Sequence, residues 1–219
     1  YLSILTLTLG LLGLGPLMAT QSVAFDLDFY ESCWSRLSIS DNTRMSQEEL
    51  SVAGKRLLEY VRGKEPTAQL NVSIDGQTRP LYRENEMEHL RDVRTLFQKG
   101  FWAKRLFAAL VVAGLLTAVY ANGLNNLANT RCLAGKSLIA AGLLLVIGTL
   151  LLALPAASDF DGWWTNFHVL TFDNELWRLD PAQDWLIKMF PEDFFYSAAK
   201  QIAKYSVIIG TSYFVLGIM

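Results

Sequence analysis

Residues 137–158 read SLIAAGLLLVIGTLLLALPAAS, a run without a single Lys, Arg, Asp or Glu. About 20 apolar residues cross the hydrocarbon core of a bilayer, so this run has the length of a transmembrane helix. The same absence of charge holds over 1–25, 106–130 and 205–219. A soluble domain scatters its charges; here 18% charged residues in a 52% hydrophobic chain are swept into the segments between the apolar runs. The reading is an integral membrane protein: a membrane α-helical fold with four transmembrane helices and a small α+β extracytoplasmic cap. A net charge of −2 gives no basic surface for nucleic acid. Two cysteines, Cys33 and Cys132, are too few for a disulfide framework or a cysteine zinc cluster.

Working outward from that run, the expected spans are 1–22, 103–122, 134–154 and 191–219. The first, with Pro16, has the apolar length of a span, although a signal peptide would share it. Pro155 is expected to close the third span. Pro191 suits the opening of the fourth, with Glu192 and Asp193 favoured at the positive end of the helix dipole. Tyr1 and Met219 both lie in apolar runs, so flanking tails are expected. A short cytoplasmic loop, 123–133, joins the second and third spans and carries Arg131.

Four spans put segments 23–102 and 155–190 on one side. Segment 23–102 reads as a folded cap of helix, β-hairpin and helix. Ser46-Gln47-Glu48-Glu49 has the form of a capping box. It opens a helix whose apolar stripe is Leu50, Ala53, Leu57 and Val61, with Gly63 as its stop. Leu70, Val72 and Ile74 alternate with polar residues, and Asp75-Gly76 is a favoured hairpin turn pair. Asn85 is a candidate cap for a second helix, carrying Leu90, Val93, Phe97 and Phe101 and running into the second span. AFDLDFY, residues 24–30, alternates and is read as a strand. Segment 155–190 reads as an aromatic loop in which Asp180-Pro181-Ala182-Gln183 starts a short interfacial helix ending near Phe190. Its acidic character suits the outer face. Segment 23–102 carries most of the Lys and Arg, but loops longer than about 60 residues escape the positive-inside rule. The cap is therefore placed on the outer, extracytoplasmic side of the membrane.

Chemistry has few places to sit. The only two histidines, His89 and His168, fall on the same side, each just outside a span. Glu86 and Asp92 lie three residues either side of His89, on one helical face. A carboxylate there fixes the tautomer of an imidazole and raises its basicity. The plain alternative is an interfacial histidine tied to a structural carboxylate. His168 stands among Trp163, Trp164, Phe167, Phe172 and Trp177, with Asn166 and Asn174 interleaved. An aromatic belt explains some of these rings; their clustering with polar groups reads better as a lipid or substrate pocket. Tyr82 and Arg83 are further candidates. No His-Glu-x-x-His or comparable spacing occurs, so no metal site is expected.

Two motifs carry a family likeness. Glu86-x-x-His89-Leu90-x-Asp92-Val93 lies in the cap. Trp164-x-x-Phe167-His168-x-Leu170-x-Phe172-x-Asn174-x-x-Trp177-x-Leu179-Asp180-Pro181 precedes the last span. With the order of spans, the chain resembles the bacterial lipoprotein intramolecular transacylases. The resemblance implies movement of the sn-2 acyl chain of a diacylglyceryl-cysteine lipoprotein to the α-amine of that cysteine, leaving the lyso form. It implies catalysis by His89 and His168. The chemistry of the residues suggests His89, backed by Asp92 or Glu86, as base and His168 as acid, or the reverse. Asn166, Asn174 or an indole N–H would hold the oxyanion. The implied partners are the diacylated lipoprotein and membrane lipid, with the protein acting as a monomer. A non-enzymatic lipid-binding receptor or subunit, and a lipid-ester hydrolase, are the competing readings.

Overall fold

The computed structural model describes residues 2–74, 77–123 and 126–219. The chain forms nine helices and one hairpin among these residues: α1 (Leu2–Ala24), α2 (Leu27–Arg36), α3 (Ile39–Thr43), α4 (Gln47–Arg62), β1 (Asn71–Ile74), β2 (Gln77–Pro80), α5 (Glu84–Asn122), α6 (Leu127–Ser158), α7 (Phe160–Thr171), α8 (Trp185–Met189) and α9 (Glu192–Ile218). Four of them, α1, α5, α6 and α9, are long and apolar enough to cross a membrane. The chain divides into two compact units.

The first unit is Tyr1–Val23, Gly100–Ala157 and Lys200–Met219. Its helices expose large apolar side chains, among them Leu106, Leu151, Leu154 and Leu216. In water that would be costly; against lipid it is the expected outer surface. With no hydrophobic drive between helices in lipid, packing depends on how closely backbones approach. Glycine provides that closeness between α6 and α9. A Cβ placed at Gly217 would stand 2.7 Å from the Gly135 carbonyl oxygen, and one at Gly142 would meet the Gly210 carbonyl and stand 2.8 Å from the Phe214 nitrogen. Ser137 Oγ donates within α6 to the Leu133 carbonyl, at 3.0 Å, and lies 3.3 Å from the Ile4 carbonyl of α1.

The second unit is Ala24–Lys99 and Ser158–Ala199. Helix α4 is built as its sequence predicts: Ser46 Oγ accepts from the Glu49 N–H at 3.2 Å, Glu49 returns the contact to the Ser46 N–H at 2.8 Å, and Gly63 ends the helix at φ 84°. Strands β1 and β2 pair antiparallel with Asn71 opposite Pro80; the Asp75-Gly76 turn lies outside the described residues. The core gathers Trp34, Ile39, Met45, Leu50, Leu81 and Met189, and Trp34 Nε1–H donates to the Met189 carbonyl at 2.9 Å. Tyr30, Phe190 and Phe194 meet edge to face within 6 Å.

Several boundaries differ from the sequence reading. Residues 24–30 lead into α2 rather than a strand, because Asp26 caps the N–H of Phe29 and the buried or half-buried set Phe29, Tyr30, Cys33, Trp34 follows a helical period. Pro155 lies inside α6, which runs from Leu127 to Ser158, so the expected 123–133 loop is largely helix. The aromatic loop contains a full helix, α7, and its short helix starts at Trp185 rather than Asp180. Asn85 does not cap α5; its amide donates to Asp184.

Candidate active site

Both histidines belong to the second unit. His89 lies on α5 and His168 on α7, and each is only 7% exposed. Their ring centroids stand 6.2 Å apart, with the planes tilted by 37°. Phe172 reaches both, 5.3 Å from His89 and 5.7 Å from His168. Trp177 stacks on His168 at 4.8 Å, and Trp164 meets it edge to face at 4.5 Å. Phe195 stacks on Trp164 at 4.4 Å. The reason for this clustering is local. Trp164 and His168 are four residues apart on α7, one above the other, and the α7 cap at Phe172 turns the chain back so that Phe172 and Trp177 cover the same face.

His168 Nδ1 lies 2.8 Å from the Trp164 carbonyl oxygen. A carbonyl only accepts, so Nδ1 carries the proton; in a neutral ring Nε2 then holds the lone pair. His89 Nδ1 is buried without a hydrogen-bond partner among the described residues. Burial lowers the pKa of His89 to about 4, helped by the charge of His168 and opposed by Asp92. Burial also lowers that of His168, against the hydrogen bond to the Trp164 carbonyl. Both rings are therefore neutral near pH 7, since burial disfavours the charged form.

Two neutral imidazoles facing each other in an aromatic enclosure can pass protons but attract no anion. That points to acid–base chemistry on an uncharged bond. Residues 2–195 match the family described as lipoprotein intramolecular transacylase Lit. The chain belongs to this family. Its fold is similar to the solved structure of the lipoprotein intramolecular transacylase Lit from Bacillus cereus, with a TM-score of 0.79 at 23% identity, covering 98% of this chain and 92% of the other. Two variants of that Bacillus cereus protein, one with a histidine replaced by arginine and one by alanine, match with TM-scores of 0.75 at 22% identity. They cover 99% of this chain and 89% and 91% of theirs. At these identities the likeness is one of fold. No curated protein matches the chain. Membership makes the chain a multi-pass membrane protein with a transacylase role, acting as an acyltransferase in lipoprotein processing.

Against that family background, the other predicted residues divide. Asp92 and Asn174 stand together: Asn174 Nδ2 donates to Asp92 Oδ2 at 2.8 Å. Glu86 does not serve His89 directly. It is fully buried, and its two oxygens accept from the Arg83 N–H at 2.7 Å and the Leu186 N–H at 2.6 Å, bracing the first turn of α5 against α8. Burial raises its pKa, against those two backbone bonds. Tyr82 is buried in the core with its hydroxyl toward Met189 Sδ at 4.0 Å, not toward the imidazoles. Arg83 donates to Gln183 at 2.9 Å and to Asp184 at 3.3 Å. Asn166 is exposed; two residues before His168, it sits roughly 200° round the helix from it, which removes it as an oxyanion donor. Trp163 stacks on Phe160 and on Phe167 at 5.8 and 6.5 Å, one ring removed from His168. Phe167 itself meets His168 at 5.3 Å. The sequence reading missed Asp184. Only 2% exposed, it accepts from Arg83, Asn85 and the Asp180 N–H and anchors the turn before α8. An Asp four residues beyond Asp180-Pro181 is its only sequence signal, and an unremarkable one.

Proposed function

We propose that this protein moves the sn-2 acyl chain of a diacylglyceryl-cysteine lipoprotein to the α-amine of the same cysteine, using His89 and His168 as proton carriers. The observation that carries this reading is the meeting of the two neutral imidazoles, 6.2 Å apart in an aromatic enclosure, in a chain of this family.

The substrate's α-amine has an ordinary pKa near 7.7–8.0, so it arrives largely as an ammonium and must lose a proton to attack an ester. The tautomer of His168 supports that residue as the first base, one of the two orders the sequence left open. Its Nε2 takes the proton, and the Nδ1–H bond to the Trp164 carbonyl stabilises the resulting imidazolium. The amine attacks the acyl carbon through a ring of about eight atoms, so much of the barrier is met by holding the two ends together. As the C–O bond breaks, the glyceryl oxygen takes the proton from His168. The second amine proton, far more acidic once nitrogen has bonded carbon, passes to His89 and then to solvent. Ester becomes amide, and no cofactor or energy source enters. The enclosing rings of Phe172, Trp164 and Trp177 exclude the water that would hydrolyse the ester. The cap is assigned to the extracytoplasmic face of the bacterial cell membrane, where lipoprotein amino termini are displayed, and the protein to a monomeric state.

The test is His89→Ala and His168→Ala, assayed by mass spectrometry on a defined diacylated lipopeptide. Loss of lyso product from both is expected. Full product from either variant removes that histidine from the mechanism, and release of free fatty acid by the wild type would make the protein a hydrolase.

A further inference from the structure

Resting on the transacylase reading above, we propose that Asp92 is the carboxylate that binds the substrate's α-ammonium group before proton transfer. The nucleophile arrives cationic, and neither neutral histidine attracts a cation. Aromatic, water-poor surroundings disfavour an unpaired charge, so an anionic partner is required beside the pair. Four nearby carboxylates are already engaged. Glu86 gives both oxygens to backbone N–H groups. Asp184 is held by Arg83, Asn85 and a backbone N–H. Glu88 faces Arg91 at 3.9 Å, and Glu175 pairs with Arg178.

Asp92 differs in each respect. It is half-buried, three residues beyond His89 on α5, where Cβ atoms of one helical face lie about 5–6 Å apart. Its Oδ2 is oriented by the 2.8 Å bond from Asn174, while Oδ1 takes no hydrogen bond among the described residues. Asn174 is two residues past Phe172, the ring that touches both imidazoles. The carboxylate thus stands at the rim of the histidine pair, positioned and with acceptor capacity in hand. Its charge also opposes the burial of His89, which puts it within electrostatic reach of that ring. An ammonium donating to Asp92 comes to rest beside both proton carriers. The exposed Asp173 is the rival.

The experiment uses the full chain in lipid nanodiscs and a diacylglyceryl-cysteine lipopeptide whose sn-2 ester is replaced by an ether. Such a probe binds without reacting. Its affinity is compared with that of the same lipopeptide acetylated at the amine. A charge-assisted hydrogen bond contributes about tenfold in affinity, so the wild type is expected to favour the free amine by about that factor. Asp92→Asn is expected to abolish the preference and raise KM for the ester substrate; Asp92→Glu and Asp173→Asn retain the preference. Asn174→Ala, which keeps the charge and removes only its orienting bond, retains part of it. A preference that survives Asp92→Asn, is lost in Asp173→Asn or Asn174→Ala, or is absent from the wild type overturns the assignment. Because the ether probe never reacts, these outcomes are separate from production of lyso peptide from the ester, on which the transacylase reading stands or falls.

Discussion

The two units solve the burial of polar backbone in opposite ways. The membrane unit satisfies its backbone almost wholly within helices, so its packing reduces to the fit of surfaces, and glycines such as Gly142 and Gly217 decide it. The second unit buries charged and ionisable side chains: Glu86 is 0%, Asp184 2%, and His89 and His168 7% exposed. There nearly every buried group has a named partner, and among the described residues of this unit His89 Nδ1 is where partnering stays incomplete. The contrast teaches that both histidines lie in the unit that buries polar side chains against named partners, while the other unit is packed by the fit of apolar surfaces.

The sharpest way to break this comparison is at the histidines. His168→Ala is expected to lower turnover of a diacylated lipopeptide by about 10²–10⁴-fold, beyond what the fraction still folded accounts for, since removing a buried ring also lowers the unfolding midpoint. A loss of turnover that only tracks the fraction folded would make His168 a structural residue.

The next test is pH. His89 has a folded pKa of about 4, below its ordinary 6.5, so the unfolded chain binds the extra proton first. By linkage, its contribution to stability is complete above pH 6.5 and is lost as pH falls toward 4. His168 acts in the same direction. The midpoint of unfolding is expected to drop between pH 7 and 4.5, and His89→Gln to flatten part of that slope. An unchanged slope in the variant would assign the effect elsewhere.

The third and fourth tests set the two units side by side. Glu86→Ala leaves two backbone N–H groups buried without acceptors, a loss of about 1–3 kcal/mol each, read as a lower unfolding midpoint with Glu86→Gln intermediate. Gly142→Val presses a side chain into the Gly210 carbonyl, at about 1–3 kcal/mol, and is expected to lower the midpoint without altering substrate affinity. If Gly142→Val instead changed substrate affinity while leaving the midpoint unmoved, the division of labour between the units would be wrong. The smallest effect belongs to Ser46→Ala, which removes one helix cap, about 1 kcal/mol, and leaves activity intact.

How much was legible followed the same division. The spans could be read from charge-free runs alone, because lipid imposes one rule on every residue it touches. The capping box and Gly63 of α4 were equally plain, since both act within a few residues of chain. Segment 24–30 misled because seven alternating residues fit either period until Cys33 and Trp34 are buried. Pro155 misled because its missing N–H is tolerated in a long membrane helix. Helix α7 was hidden among aromatic residues whose spacing also suits an interfacial loop.

The sequence by itself picked out four helices long and apolar enough to cross a membrane and the two histidines as the residues to watch, because hydrophobic length, capping and composition are local properties. Only the tertiary structure decided which carboxylate serves which partner. Glu86 and Asp92 are symmetric about His89 in the chain, three residues either side. Contacts from distant segments separate them: Leu186 claims one and Asn174 the other. Such long-range pairings leave no periodicity in the chain, because the partner that selects them is about a hundred residues away.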